Sequence, residues 1–238
     1  MPFHPVIAPE IFALRPDFTA LSLHVTGIAN RPSDAASARH LDEAIAAMGE
    51  APWAEAHLDA RREAYRALGA KPNKTLPSGE ALRKRAAKDG AIRPANAVVD
   101  LYNATSIRFA IPVGGEDVAG YVGSPTLRRA TGTETFDTMA DGAPKLETLD
   151  AGEVFWGDDQ GATCRRWNWR QGVRTQITEA TADMWFVLER LDAMPMEALM
   201  EAGASLLQGL RQLSPGAAVA AQVFSIAAPV GQQTDLPV

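Results

Sequence analysis

Apolar residues recur at helical spacing as far as about Ala110 and at strand spacing beyond Tyr121, and this change of period dictates the class of fold. Ser37 to Met48 and Trp53 to Leu68 read as helices closed by Gly49 and Gly69. In the second, Trp53, Ala56, Ala60, Ala64 and Leu68 form the inner stripe, with Arg61, Arg62 and Arg66 off it. The run Ala70 to Pro77 is too rich in proline for a helix, and Ser78 then reads as the N-cap of a basic helix ending at Asp89 and Gly90. Asn96 caps a helix from Ala97 to about Ala110. Before these, Phe18 to Ile28 alternates as a strand. After them come short strands around Thr126 to Ala130, Phe136 to Thr138 and Glu153 to Trp156. Trp185 to Leu188 reads as a central apolar strand with Glu189 at its end, Glu197 to Leu213 as a helix, and Val219 to Ile226 as a last strand. The expectation is one mixed α/β domain over residues 1–238, helices mostly first and strands mostly second.

At 238 residues the chain buries a core without staples, and its one cysteine, Cys164, excludes an internal disulfide. That cysteine usage points to a reducing compartment. The N-terminal MPFHPVIAPE has neither the basic nor the apolar stretch of a signal peptide. The uncharged stretch Ser214 to Thr234 is broken by Pro215, Gly216, Pro229 and Gly231, so it reads as a buried strand rather than a membrane span. The expected location is the cytoplasm. His4, His24, His40 and His57 show no metal spacing with Cys164, so neither a metal nor another cofactor is expected.

The net charge of −6 conceals a basic stretch from Arg61 to Arg93 and a cationic, aromatic run from Thr163 to Thr175. In that run Arg165, Arg166, Arg170 and Arg174 surround Trp167 and Trp169 with no acidic residue between them. As a strand, it would show both indoles on one face and Arg166, Asn168 and Arg170 on the other, a surface suited to an anionic, stacking partner. The alternative is that both indoles are core and the arginines pair with Asp158 and Asp159; from the run alone both readings stay open. Asp100 and Asn103 lie one turn apart on the Asn96-capped helix, and Pro112 to Asp117 reads as a glycine turn whose amides can approach a ligand.

Several stretches together resemble a known family. They are Asn96 to Asn103, Pro112 to Asp117, Leu127 to Ala130, Phe136 to Gly142, and Thr178 to Thr181 leading to Val187-Leu188-Glu189. In this order they resemble the B3/B4 domain, the tRNA-associated editing module of the bacterial phenylalanyl-tRNA synthetase β subunit. Freestanding B3/B4 proteins are more similar still, sharing the Cys164 to Gln171 run and the Lys71 to Lys74 loop. The chain departs from the synthetase pattern at Gly114, where the family has histidine, and at Arg165 to Gln171, which replaces a glycine-rich pocket wall.

The resemblance implies a mixed-sheet domain that receives the aminoacylated 3′ end of tRNA and hydrolyses a wrong amino acid from it, acting in trans. Glu189 matches the family's acidic pocket position. No Ser-His-Asp or Cys-His set is present, so a positioned water is the expected nucleophile. The amides of Gly114 and Gly115, with Asn103, are the candidate catalytic groups. Asp100, Asn103, Asp117, Glu189, Arg166 and Asn168 are the candidates for holding the amino acid. Lys71, Lys74, Arg85, Arg165, Arg166, Trp167, Trp169, Arg170 and Arg174 are those for the RNA. Two rival classes are a non-catalytic tRNA-binding module or adaptor that kept the fold, and a binder of a free amino acid or nucleotide. The residues alone do not decide the oligomeric state.

Overall fold

The structure, a computed structural model, describes residues 3–70 and 75–237. The loop lysines Lys71 and Lys74 therefore lie outside the described residues. β1 (Val6–Ile7) and α1 (Pro9–Leu14) precede β2 (Thr19–Thr26), and four helices follow: α2 (Ala35–Ala46), α3 (Ala54–Ala67), α4 (Ser78–Asp89) and α5 (Ala97–Phe109). Then come β3 (Val113–Asp117), β4 (Thr126–Arg129), β5 (Thr135–Ala140), β6 (Ala143–Thr148), β7 (Val154–Gly157), β8 (Ala162–Arg165) and β9 (Arg170–Gln171). The chain ends with β10 (Asp183–Arg190), α6 (Met196–Leu213), β11 (Ala218–Ser225) and β12 (Ala228–Gln233). This is a mixed α/β fold. One antiparallel sheet runs β12-β11-β2-β10-β3; a second, mixed sheet runs β1-β4-β7-β8-β5-β6, with β9 paired to β8.

β10 organises both sides of the core because its residues alternate between two buried faces. Met184, Phe186 and Leu188 join Leu21, Leu23 and Val25 of β2 against α5 and α6. Trp185 and Val187 turn instead to the mixed sheet, among Trp156, Trp167 and Phe18. The register Phe186 opposite Leu23 and Leu188 opposite Leu21 keeps the two strands in phase. A strand buried on both faces reads as a continuous apolar run, which is why Trp185 to Leu188 is legible in the sequence. On the outer side of α5, α2 and α4 close a smaller cluster around Leu41, Ala86 and Ile107.

Local chemistry sets the helix ends. Asp34 caps α2 by accepting from the amides of Ala36 and Ser37, and Ser37 returns a bond to the Asp34 amide. Asn96 caps α5 through the Val99 amide, and Gly90, at φ +70°, ends α4. At the start of α4 Pro77, not Ser78, holds the cap position, and Ser78 is the first helical residue. The inner face of α3 also differs from the expected stripe: His57, Leu58, Arg61 and Tyr65 are buried, and Arg61 is fully so. The expected turn Pro112 to Asp117 is instead mostly strand, β3 from Val113 to Asp117, paired along β10 at the sheet edge. The stretch after Ser214 forms the β11–β12 hairpin, with much of β12 exposed, rather than a single buried strand. Among the described residues no helix is long and apolar enough to cross a membrane, and no cluster of His, Cys, Asp and Glu could hold a metal ion.

His57 ties α3 to the end of α5 and to the residue after β10. Its Nδ1 donates to the Ala110 carbonyl at 2.9 Å, and its Nε2 accepts from the Leu191 amide at 3.1 Å, a pairing only the neutral ring can make. Burial, reinforced by the Arg61 charge, lowers its pKa to about 3. The unfolded chain takes up this proton near pH 6.5 and the folded one does not, so stability is present above that pH and is lost as the pH falls. Between pH 7 and pH 5 this residue is expected to cost about 2 kcal/mol of unfolding free energy. Urea titrations at the two pH values check this, with His57→Gln predicted to lose most of the difference.

Candidate functional site

The Thr163 to Thr175 run is not a continuous strand. β8 and β9 pair with Cys164 opposite Gln171 and Arg165 opposite Arg170, so Arg166 to Trp169 form the loop of a hairpin. Arg166 and Trp167 have φ of +47° and +67°. Two successive left-handed residues suit the twist of a hairpin, but each costs about 1–2 kcal/mol in a residue carrying a Cβ. The compensating contacts are buried. Trp167 is fully buried, and its amide donates to the Val154 carbonyl at 2.6 Å.

Glu189, which the resemblance placed in a substrate pocket, is the anchor of this loop. Its Oε1 accepts from the indole N–H groups of Trp156 at 2.9 Å and Trp167 at 3.0 Å, and its Oε2 accepts from Asn168 at 2.7 Å. Arg61 lies beside it, with Nη1 3.8 Å from Oε2, its guanidinium over the Trp167 ring and a second nitrogen donating to the Glu189 backbone carbonyl. Burial pushes the Glu189 carboxyl up, against the Arg61 charge and the donors. The Asn168 amide is occupied at both ends, since its Oδ1 accepts from the Tyr65 hydroxyl at 2.7 Å.

Several other candidates are also engaged by the fold itself. Asp100 is fully buried and accepts from Ser33, Ser37 and the Ala95 amide. Asp117 caps the turn after β3 and accepts from Thr181. Arg165 forms a two-pronged pair with Glu153 and a further bond to Glu147. Arg174 clasps Asp158 and the Gly120 carbonyl, so for this residue the core-and-pair alternative describes the structure. Arg166 lies on the other side of the loop, over the Trp169 ring at 4.9 Å and near Glu153 and Asp150. The acids that neutralise Arg165 and Arg166 come from elsewhere in the chain and are invisible within the run.

The remaining candidates converge. A hollow of about 260 Å³ lies between α4, α5, the β3 edge and the β8–β9 hairpin, and it includes Arg85, Asn103, Gly114, Gly115, Asn168, Trp169 and Arg170 in its lining. This is slightly below the ~300 Å³ lower end of small-molecule pockets. Among the described residues the Asn103 side chain makes no hydrogen bond and the exposed Arg85 makes no ion pair. Arg170 donates from one nitrogen to Thr138 and lies 3.9 Å from Glu147 at another, with 37% of its side chain exposed.

The two glycines differ. The Glu189 amide bonds the Pro112 carbonyl and the Asp117 amide bonds the Thr175 carbonyl, which sets the parity of β3. Gly114 therefore faces β10, while the N–H and C=O of Gly115 face the open edge. The Gly115 carbonyl accepts from Gln171 Nε2 at 2.9 Å, leaving its N–H as the donor on that edge. Glycine is required there, because a Cβ on Gly115 would fall 2.8 Å from the Tyr102 ring.

Eight of the lining residues lay outside the sequence-based candidates, among them three that carry polar groups of note. Gln171 bridges the hairpin to β3, and Tyr102 and Glu116 also contribute. Glu116 is a buried carboxyl pushed up by burial, against the Tyr121 and Thr163 hydroxyls that donate to it. Cys164 is half-buried in the wall, where burial holds it as a thiol rather than a nucleophilic thiolate.

Removing the Glu189 charge tests the anchor. In Glu189→Gln the new amide opposes an existing donor and Arg61 loses its counterion, for an expected cost of about 3–5 kcal/mol. Denaturant unfolding measures the loss, and a red shift of tryptophan emission should report release of Trp167.

A model of the B3/4 domain matches residues 60–197, more than half of the chain. Among solved structures, the chain is similar to an N-terminal fragment of the phenylalanyl-tRNA synthetase β-subunit from Pyrococcus horikoshii, with a TM-score of 0.50 at 12% identity. The similarity covers 99% of this chain and 55% of the other, so the protein spans about half of that fragment's length. At that identity the likeness speaks for the fold alone. No curated protein matches the chain in sequence. On the match to residues 60–197, the chain belongs to the B3/4 domain family.

Proposed function

We propose that the protein is a deacylase acting in trans, which hydrolyses the ester between a wrong amino acid and the 3′ end of a tRNA by a positioned water. The observation that carries this reading is the hollow at the β3 edge, whose lining includes Gly115, with its N–H facing away from β10, the unpaired Asn103 amide, Arg85 and Arg170. Family membership, and a fold shared with a fragment named for a tRNA synthetase, agree with it.

An aminoacyl ester is already activated, so catalysis requires a held carbonyl, donors for the charge developing on its oxygen and a placed water. In this reading the Gly115 N–H and Asn103 receive the carbonyl oxygen. Gly114, whose amide faces β10, shapes the edge instead. Arg85 and Arg170 meet the phosphates of the terminal nucleotides, and the exposed part of Trp169 offers a ring for the terminal base. Glu189, Asp100, Asp117, Arg165, Trp167 and Arg174 support the architecture, and Arg166 acts outside this hollow.

A panel of mischarged tRNAs tests the proposal. At least one should release its amino acid faster than spontaneous hydrolysis, and a flat panel overturns the enzymatic reading. Asn103→Ala should lower kcat by about a hundredfold, the usual cost of one oxyanion donor. Arg170→Ala should weaken tRNA binding uniformly and reduce the salt slope by about one. Among the described lining residues no base activates a nucleophile, since Ser78 Oγ has no hydrogen-bond partner and Cys164 is held as a thiol, and this favours a second reading, a tRNA-binding module without turnover. That reading predicts salt-sensitive retention of tRNA with no release of amino acid.

A further inference from the structure

The same hollow also bears on which amino acid is removed, an inference that rests on the proposed reading. We infer that the pocket receives an uncharged, apolar side chain, such as that of leucine or phenylalanine, and turns away a cationic one.

The polar groups still available in the hollow set this preference. α4 contributes Ala81 and Leu82, β3 contributes Val113, and the ring of Tyr102 and the neutral thiol of Cys164 complete an apolar wall. The available polar groups carry donors and no negative charge: the Gly115 N–H, the Asn103 amide, the Ser78 hydroxyl and the two guanidinium groups, that of Arg170 engaged in part by Thr138 and Glu147. Free carboxylate is missing among the described lining residues. Glu116, the acid in the lining, is 3% exposed and accepts from Tyr121 and Thr163. The acids nearby in the fold are engaged too, Glu189 by the two indoles and Asn168, and Glu153 and Glu147 by Arg165.

A lysyl ammonium entering this space would lose its water, gain no anion and meet Arg85 and Arg170, both of its own sign. An acidic side chain could pair only with those arginines, which are exposed and which the RNA phosphates would already occupy. A branched or aromatic hydrocarbon has neither conflict and covers the apolar wall.

RNA acceptor-stem minihelices esterified with leucine, phenylalanine, lysine or glutamate measure the selectivity as kcat/KM. The matching 3′-amide adenosines, which cannot be hydrolysed, measure it as binding, followed through Trp169 fluorescence. Leucine or phenylalanine should exceed lysine by about a hundredfold or more, since a difference of a single methylene already reaches ~10–200-fold. Ala81→Glu places a carboxylate on the half-exposed face of α4 and should raise the lysine-to-leucine ratio at least tenfold; circular dichroism checks that the variant folds. Equal handling of lysine and leucine, or an unmoved ratio in the folded variant, overturns the inference. Selective binding of the amides without hydrolysis of any ester overturns the catalytic reading and leaves the side-chain preference standing. Neither binding nor hydrolysis overturns both.

Discussion

A buried carboxylate that receives three N–H donors holds the candidate site in shape. Glu189 collects Trp156 from β7 and Trp167 and Asn168 from the β8–β9 loop, while Arg61 of α3 supplies the opposite charge. Hydrogen bonds to an ionised acceptor contribute about 1.5–3 kcal/mol each, which offsets the two left-handed residues of the loop and part of the cost of burying the charge. Removing a buried charge from water favours its neutral form, and the neighbouring cation and donors oppose that shift. With Trp167 drawn inward, the loop extends to Trp169 and Arg170, which form one wall of the hollow.

The opposite wall depends on a strand edge. β3 pairs with the strand β10 on one side, and on the other meets only an isolated bridge between Glu116 and Gln176, so several of its backbone groups face away from the sheet. Gln171 takes the Gly115 carbonyl and leaves the adjacent N–H as a fixed donor. Gly115 is bare because the Tyr102 ring already fills the space a side chain would need. Sheet edges must be covered or blunted to prevent pairing with another chain, and here the hairpin does so while leaving a gap of ligand size.

The main elements were legible because their signals are local. Asn96 and Gly90 mark helix ends by their own chemistry, and the doubly buried β10 shows as an unbroken apolar run. The hairpin loop was not legible, because Arg-Trp-Asn-Trp-Arg alternates like a strand and no glycine marks its two left-handed residues. β3 was mistaken for a turn for the converse reason: its two successive glycines mimic turn chemistry, while what Gly115 answers to is the Tyr102 ring on α5 and what Gly114 approaches is Val187 of β10. Arg61 looked like part of a solvated face, since nothing within α3 announces a carboxylate 128 residues away.

Sequence alone determined the mixed α/β class, the approximate positions of the main helices and of the central strands, and the family, because periodicity, capping and ordered motifs belong to the chain itself. It also supplied Asn103, Gly115, Arg85 and Arg170 as candidates, without separating them from Asp100, Glu189, Arg165 and Arg174. Tertiary structure made that separation. A charged or polar side chain is available to a ligand only when no other part of the chain satisfies it, and those partners arrive through folding from elements far apart in sequence.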